Sequence, residues 1–294
     1  MDTLDVLGRR IRTAEELHSV VRTMKGLAAV GIRQYERAAA AVTDYAATVE
    51  LGLQALLRDR TRSLDAERVR SPFRGVFVVG SDQGMCGQVN DSIVAFAQDR
   101  LASMGAAPAR TSYWAVGLRA ESKLLETGHA VEHVFSVPGS VSQITPSVQE
   151  LALHLEAWRH THRPYAVHLF HHVPRSGVGY TPRHVQVLPV DQEWLREVAT
   201  RRWPTPALPM RGGAWPTLYS HLVRQHLFAA LFRALAESLA AEYAARLASM
   251  QSAEKSIERQ LRRLQLEFHQ SRQSAITAEL LDVISGFEAV SGQR

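Results

Sequence analysis

WPTLYSHLVRQHLFAALFRALAESLAAEYAARLASMQSAEKSIERQLRRLQLEFHQSRQSAITAELLDVISGFEAV, residues 215–290, is the stretch that decides the fold. No proline follows Pro216, and no glycine falls between Gly213 and Gly286. Ala, Leu, Glu, Gln and Arg dominate, the residues that lose least on entering a helix. A single helix is expected, with a length on the order of 100 Å at the α-helical rise. No compact domain buries that length, so the helix needs a partner. Met250, Ile257, Leu261, Leu264 and Phe268 recur at steps of seven, four, three and four, the stripe of a coiled-coil seam. Carried on, the stripe meets Arg272 and then Ile276, Leu280, Val283 and Phe287. A guanidinium in phase with a seam either snorkels off its edge or marks a contact with another protein.

The partner is found at the other end of the sequence. Within residues 1–57, positions 4, 7, 11, 14, 18, 21, 25, 28, 32, 35, 39, 42, 46, 49, 53 and 56 keep one register by steps of three and four. Fourteen of these sixteen are apolar or aromatic, which predicts a second coiled-coil helix; the exceptions are His18 and Lys25. Gly31 and Gly52 weaken it by up to about 1 kcal/mol each without ending it. Two seams at opposite ends of one sequence most simply form an antiparallel coiled coil. The C-terminal helix is the longer by more than ten residues, so part of it is expected to overhang.

Between the helices the pattern changes. Residues 58–72 are polar and charged and read as a connection. Residues 73–202 read as a central α/β domain of Rossmann-like type. Strands are expected at 75–80, 112–116, 131–136 and 165–172, with an edge strand at 184–190, and helices at 91–104, 119–126 and 145–160. This alternation predicts a parallel or mixed sheet with helices on its faces. Residues 203–214, with Pro204, Pro206, Pro209, Gly212 and Gly213, read as a linker before the helix of 215–290. The fold class is therefore α/β plus long α coiled coil.

Composition narrows the function. The 294 residues are 46% hydrophobic and 21% charged, with a formal charge of +5 and a pI near 9.6. The basic residues are dispersed, which argues against nucleic acid as a partner. Cys86 is alone, which excludes an internal disulfide and a cysteine-built metal site. Asp2, Asp5, Arg9 and Arg10 do not fit a secretory leader, and no apolar run is long enough for a membrane span. A cytoplasmic location is expected.

Candidate chemistry is sparse. The turn at 81–90 (SDQGMCGQVN) follows the first strand, where open α/β sheets bind ligands, but it has neither the dinucleotide nor the phosphate-loop glycine order. A tight structural turn is the expected use of Gly84 and Gly87, and no residue is placed to activate Cys86. His154, His160, His162, His168, His171 and His172 cluster. His168 and His172 share a face of one strand, yet no carboxylate or cysteine joins them at ligand spacing. Surface and edge-strand positions are expected for these histidines. No catalytic residue, cofactor or metal is expected, and the chain reads as non-catalytic by itself.

Three stretches carry a resemblance. Residues 11–29 (IRTAEELHSVVRTMKGLAA), 81–90 (SDQGMCGQVN) and 272–286 (RQSAITAELLDVISG) look like the first helix, the S-D-[RK]-G-L-C-G turn and the R-Q-A-x-I-T-x-E helix of the gamma subunits of F-type ATP synthases. The chain is similar to that family over its whole length, as a divergent bacterial branch. Gln83, Gln88, Gly26, Leu27 and Phe287 depart from the usual pattern. The resemblance implies a central rotor stalk, part of a rotary ion-translocating complex. It turns inside a catalytic ring of alpha and beta subunits, with the α/β domain beside the epsilon subunit and the membrane c-ring. A peripheral place on the cytoplasmic face of the bacterial plasma membrane follows. It also implies contacts to the catalytic ring from Met24, Lys25, Arg272 and Gln273. A cytoplasmic coiled-coil adaptor with a ligand-binding α/β domain is the rival reading.

Overall fold

The register read from the N-terminal segment forms α1, Leu4–Leu57, and not one of its sixteen positions is exposed. The opening stretch forms α6, Trp215–Ser291, a single helix of 77 residues. The computed structural model describes residues 4–58, 73–162, 165–175, 179–207, 209–210 and 212–291, and their side chains apart from those of residues 108 and 286–291. Apart from Arg58, the expected connection over 58–72 lies outside the described residues. No described helix is long and apolar enough to cross a membrane. The chain divides into two compact units, residues 28–246 and residues 1–27 with 247–294.

The larger unit is built on five strands: β1 (Phe73–Val79), β2 (Thr111–Val116), β3 (Val131–Phe135), β4 (Tyr165–Pro174) and β5 (Tyr180–Leu188). Their order is β3-β2-β1-β4-β5. β1 pairs in parallel with both β2 and β4, β2 in parallel with β3, and β5 closes the edge antiparallel to β4. The sheet is mixed, as the alternation of elements predicts. The helices α2 (Val89–Ser103), α3 (Leu118–Glu126), α4 (Val141–Thr161) and α5 (Gln192–Thr200) complete the unit. The sequence reading had no helix at α5, a short segment whose Asp191 caps it by accepting from Glu193 N at 2.8 Å.

Alternation along the strands sorts two cores. Phe77, Val79, Trp114, Val116, Val167 and Leu169 face α4 and the domain portions of α1 and α6. Val76, Val78, Tyr113, Ala115 and Phe170 face α2 and α3. Burying each large side chain contributes roughly 1.5–3 kcal/mol, so these two layers dominate the unit's stability. A third cluster joins Val49, Leu53 and Leu57 of α1 to Leu195 and Val198 of α5. Within this unit α1 and α6 run antiparallel, Tyr35 meeting Tyr243 and Tyr45 meeting Phe228. Two of the four glycines of α1 lie directly against α6: a Cβ on Gly31 would stand 2.5 Å from the Tyr243 ring, and one on Gly52 2.8 Å from Leu222.

The smaller unit is the paired part of α1 and α6 alone. Leu7 and Ala14 of α1 and Met250 and Leu264 of α6 are buried in its seam. Phe268 lines an open pocket together with Leu4, Asp5, Gly8, Arg9 and Arg12.

Candidate interaction surface

In the paired unit, the polar interruptions of the seam are answered across it. Lys25 Nζ donates to Glu254 Oε2 at 2.5 Å, and His18 Nε2 stands 3.6 Å from Glu258 Oε1. The sequence marked His18 and Lys25 as exceptions but could not pair them, because their partners lie more than two hundred residues away.

Beyond Ser271 the seam runs past the first described residue of α1, Leu4. Residues 272–285 are exposed without a break. Ile276, Leu280, Leu281, Val283 and Ile284 stand in water, Val283 at 66%. Apolar patches of this kind mark surfaces made for a partner. Along α1, Leu17, Val20 and Leu27 are more than half exposed as well. Of the four expected contact residues, Arg272 and Gln273 are exposed, while Met24 and Lys25 are half-buried. Arg272 is in phase with the seam but exposed, so water solvates its charge there. The side chain of Phe287 lies outside the described residues.

The turn at 81–90 is knitted to itself. Ser81 N donates to Asn90 Oδ1 at 3.0 Å, Asn90 Nδ2 to Ser81 Oγ at 2.9 Å, and Ser81 Oγ to Gln83 O at 3.0 Å. Asp82 accepts from Leu118 N and Val137 N, both at 2.9 Å, fixing the start of α3 to the end of β3. Gly87 has a φ of 64°, a conformation glycine adopts freely. Cys86 is buried against Val89, Ala245 and Tyr180, and its Sγ meets Ser81 Oγ, Gln83 O and Asn90 Nδ2. These contacts use the turn as a brace of the fold.

The histidines correct the sequence reading. His168, His171 and His172 are not surface or edge residues: β4 is interior to the sheet, and they are 3%, 3% and 0% exposed. His168 Nδ1 lies 3.0 Å from His184 Nε2 of β5. Burial, then His184, then Arg74 and Arg100 push His168 down to about 4, and burial with Arg100 does the same for His184. His172 is also held near 4, by burial and His171. His172 lies 3.4 Å from Ser92 Oγ, and His171 Nε2 lies 3.0 Å from Glu237 Oε2. Burial pushes Glu237 up, but His171, Arg233 and Arg183 outweigh it and hold the carboxyl low. Consecutive strand residues point to opposite faces, so the Ser92–His172 and His171–Glu237 contacts cannot join into a nucleophile–base–carboxylate relay. His168 and His172 share a face, as expected, but each has its own partner. The apolar run they share with Val167, Leu169 and Phe170 was the signal of an interior strand.

An α/β domain set on a pair of long helices, with the apolar surface left on the helices, defines a stalk subunit of a larger assembly. Residues 3–290 match the family model described as ATP synthase. The chain belongs to that family, among its gamma chains. It is 22% identical over 303 aligned residues to the ATP synthase gamma chain of Zymomonas mobilis, covering 99% of this chain and 100% of that one. Its fold is similar to a chain of the Tetrahymena thermophila mitochondrial ATP synthase central stalk and c-ring, with a TM-score of 0.61 at 19% identity over 80% of this chain and 99% of that one. It is likewise similar to a chain of the Euglena gracilis mitochondrial ATP synthase OSCP/F1/c-ring assembly, with a TM-score of 0.62 at 15% identity over 99% of this chain and 96% of that one.

Proposed function

We propose that this chain is the central rotor stalk, the gamma subunit, of an F-type ATP synthase. It couples ion-driven rotation of the membrane c-ring to ATP synthesis or hydrolysis in a ring of alpha and beta subunits. The observation that carries the reading is the set of exposed apolar side chains of α6 within residues 272–285, in a chain that matches the family over residues 3–290. By itself the chain is non-catalytic. It binds the epsilon subunit through the α/β domain and works at the cytoplasmic face of the bacterial plasma membrane. Met24, Lys25, Arg272 and Gln273 contact the catalytic ring.

Torque is differential binding of one shaft to several states of its ring. Turning a site from 1:99 to 99:1 in favour of one conformation takes about 5.5 kcal/mol. A surface ion pair supplies at most about 1 kcal/mol, so Arg272 cannot act alone. Ile276, Leu280, Leu281, Val283 and Ile284, at roughly 1.5–3 kcal/mol for each side chain taken out of water, have the capacity.

The test is capture of the tagged full-length chain from its own cells, with mass identification of what is bound. Alpha and beta subunits of an ATP synthase are expected in the eluate. An eluate without them, or one dominated by an unrelated coiled-coil protein, favours the adaptor reading.

A further inference from the structure

We propose that His18 of α1 and Glu254 and Glu258 of α6 form a binding site for a divalent first-row transition ion, with Zn²⁺ as the best fit, that clips the two helices together. One ligating atom from each residue lies within 4.8 Å of the other two. The inference stands apart from the rotor reading, because it concerns only how these three side chains meet.

His18 occupies a seam position where every neighbour in register but Lys25 is apolar or aromatic. Its Nε2 is buried from water and has no hydrogen-bond partner. The 3.6 Å separating it from Glu258 Oε1 is too long for a hydrogen bond. It is close to the edge of a tetrahedron about an ion with bonds of about 2.1 Å, whose ligand atoms stand about 3.4 Å apart. Glu254 and Glu258, four residues apart, share one face of α6, and His18 meets them from the opposite helix. One imidazole nitrogen and two carboxylates, with a fourth position open to water, make a donor set suited to zinc, cobalt or nickel. The imidazole disfavours magnesium and calcium, which take oxygen ligands.

Lys25 supplies the outer support. It holds Glu254 Oε2 at 2.5 Å, leaving the other carboxylate oxygen for the ion, and a hydrogen bond of that kind orients a ligating carboxylate. Besides Lys25, the groups acting on Glu254 are His18, itself a ligand here, and the cation Arg22. With both carboxylates ionised these two cations only balance the site, so the ion's attraction comes from direct ligation.

The full-length chain, stripped with EDTA, is titrated with ZnCl₂ by calorimetry and with CoCl₂ by visible absorption. One saturable site per chain is expected, with the strong visible bands of four-coordinate cobalt and no displacement by MgCl₂. His18→Asn and Glu258→Gln should each weaken that site by roughly 100-fold, while their metal-free melts stay near that of the parent. His168→Asn should leave it intact, separating this site from the other histidines. Absence of a saturable site, or one that survives both His18→Asn and Glu258→Gln, overturns the proposal.

Discussion

Gly31 shows how one residue sets the approach of two helices. Alanine there would gain up to about 1 kcal/mol of helix propensity. Its Cβ, however, would stand 2.5 Å from a Tyr243 ring that packs on Tyr35 at 5.4 Å between centroids. Overpacking of this kind costs about 1–3 kcal/mol, so the clash wins. Gly31→Ala should lower the melting temperature by about 2–4 °C; a rise would show that Tyr243 yields freely. The histidine pair makes a second prediction. His168 and His184 titrate near 4 when folded but near 6.5 when unfolded. Their stabilisation is complete above about 6.5 and is lost as pH falls from there towards 4, because only the unfolded chain takes up the protons. The loss is on the order of 3 kcal/mol for buried His168 and smaller for half-buried His184. Melting temperature should fall steeply below about pH 6, and less so in His184→Gln. A flat profile from about pH 7 to 5 contradicts the buried pair. The apolar run around His168 was the local signal of burial; what the sequence did not carry was the partner across the sheet, His184, that lets an imidazole enter a core.

For the elements, the seam was the most legible feature: three-four spacing is a local property, and the structure buries or half-buries all sixteen positions of α1. The strands were legible for the same reason, their apolar runs being short and continuous. The helix α5 escaped through its length: Trp194, Leu195, Val198 and Ala199 fall at helical spacing after the Asp191 cap, but nine residues are shorter than the window over which a periodicity is read. The cross-seam pairs escaped because nothing local links Lys25 to Glu254. The tip of α6 yields an element-level prediction. Residues 279–285 touch little of their own chain, being exposed throughout. A chain ending after Ala278 should therefore melt within a few degrees of the full-length protein, while its assembly with the catalytic ring weakens. A large drop in melting temperature with normal assembly would mean that the tip belongs to the chain's own fold. In the seam, Lys25→Glu should destabilise the paired helices, and Lys25→Glu combined with Glu254→Lys should restore much of the loss, read from thermal melts. If the double variant is no better than the single one, the 2.5 Å pair is not what holds Lys25.

At the scale of the molecule, the family was legible because its three motifs occupy structurally demanding places. The 81–90 turn braces β1, α3 and β3 through Ser81, Asp82 and Asn90, and the C-terminal motif presents the exposed surface of residues 272–285. What no local pattern carries is motion, and rotation is the centre of the account. The direct measurement is single-molecule rotation of the complex assembled from this chain and its own alpha and beta subunits. The complex is held by the catalytic ring, with a bead on a cysteine introduced at the exposed Leu153 of α4. The account predicts stepwise, unidirectional turning of the bead when ATP is added, abolished by an inhibitor of the catalytic sites. An assembled complex that hydrolyses ATP while the bead stays still would contradict it.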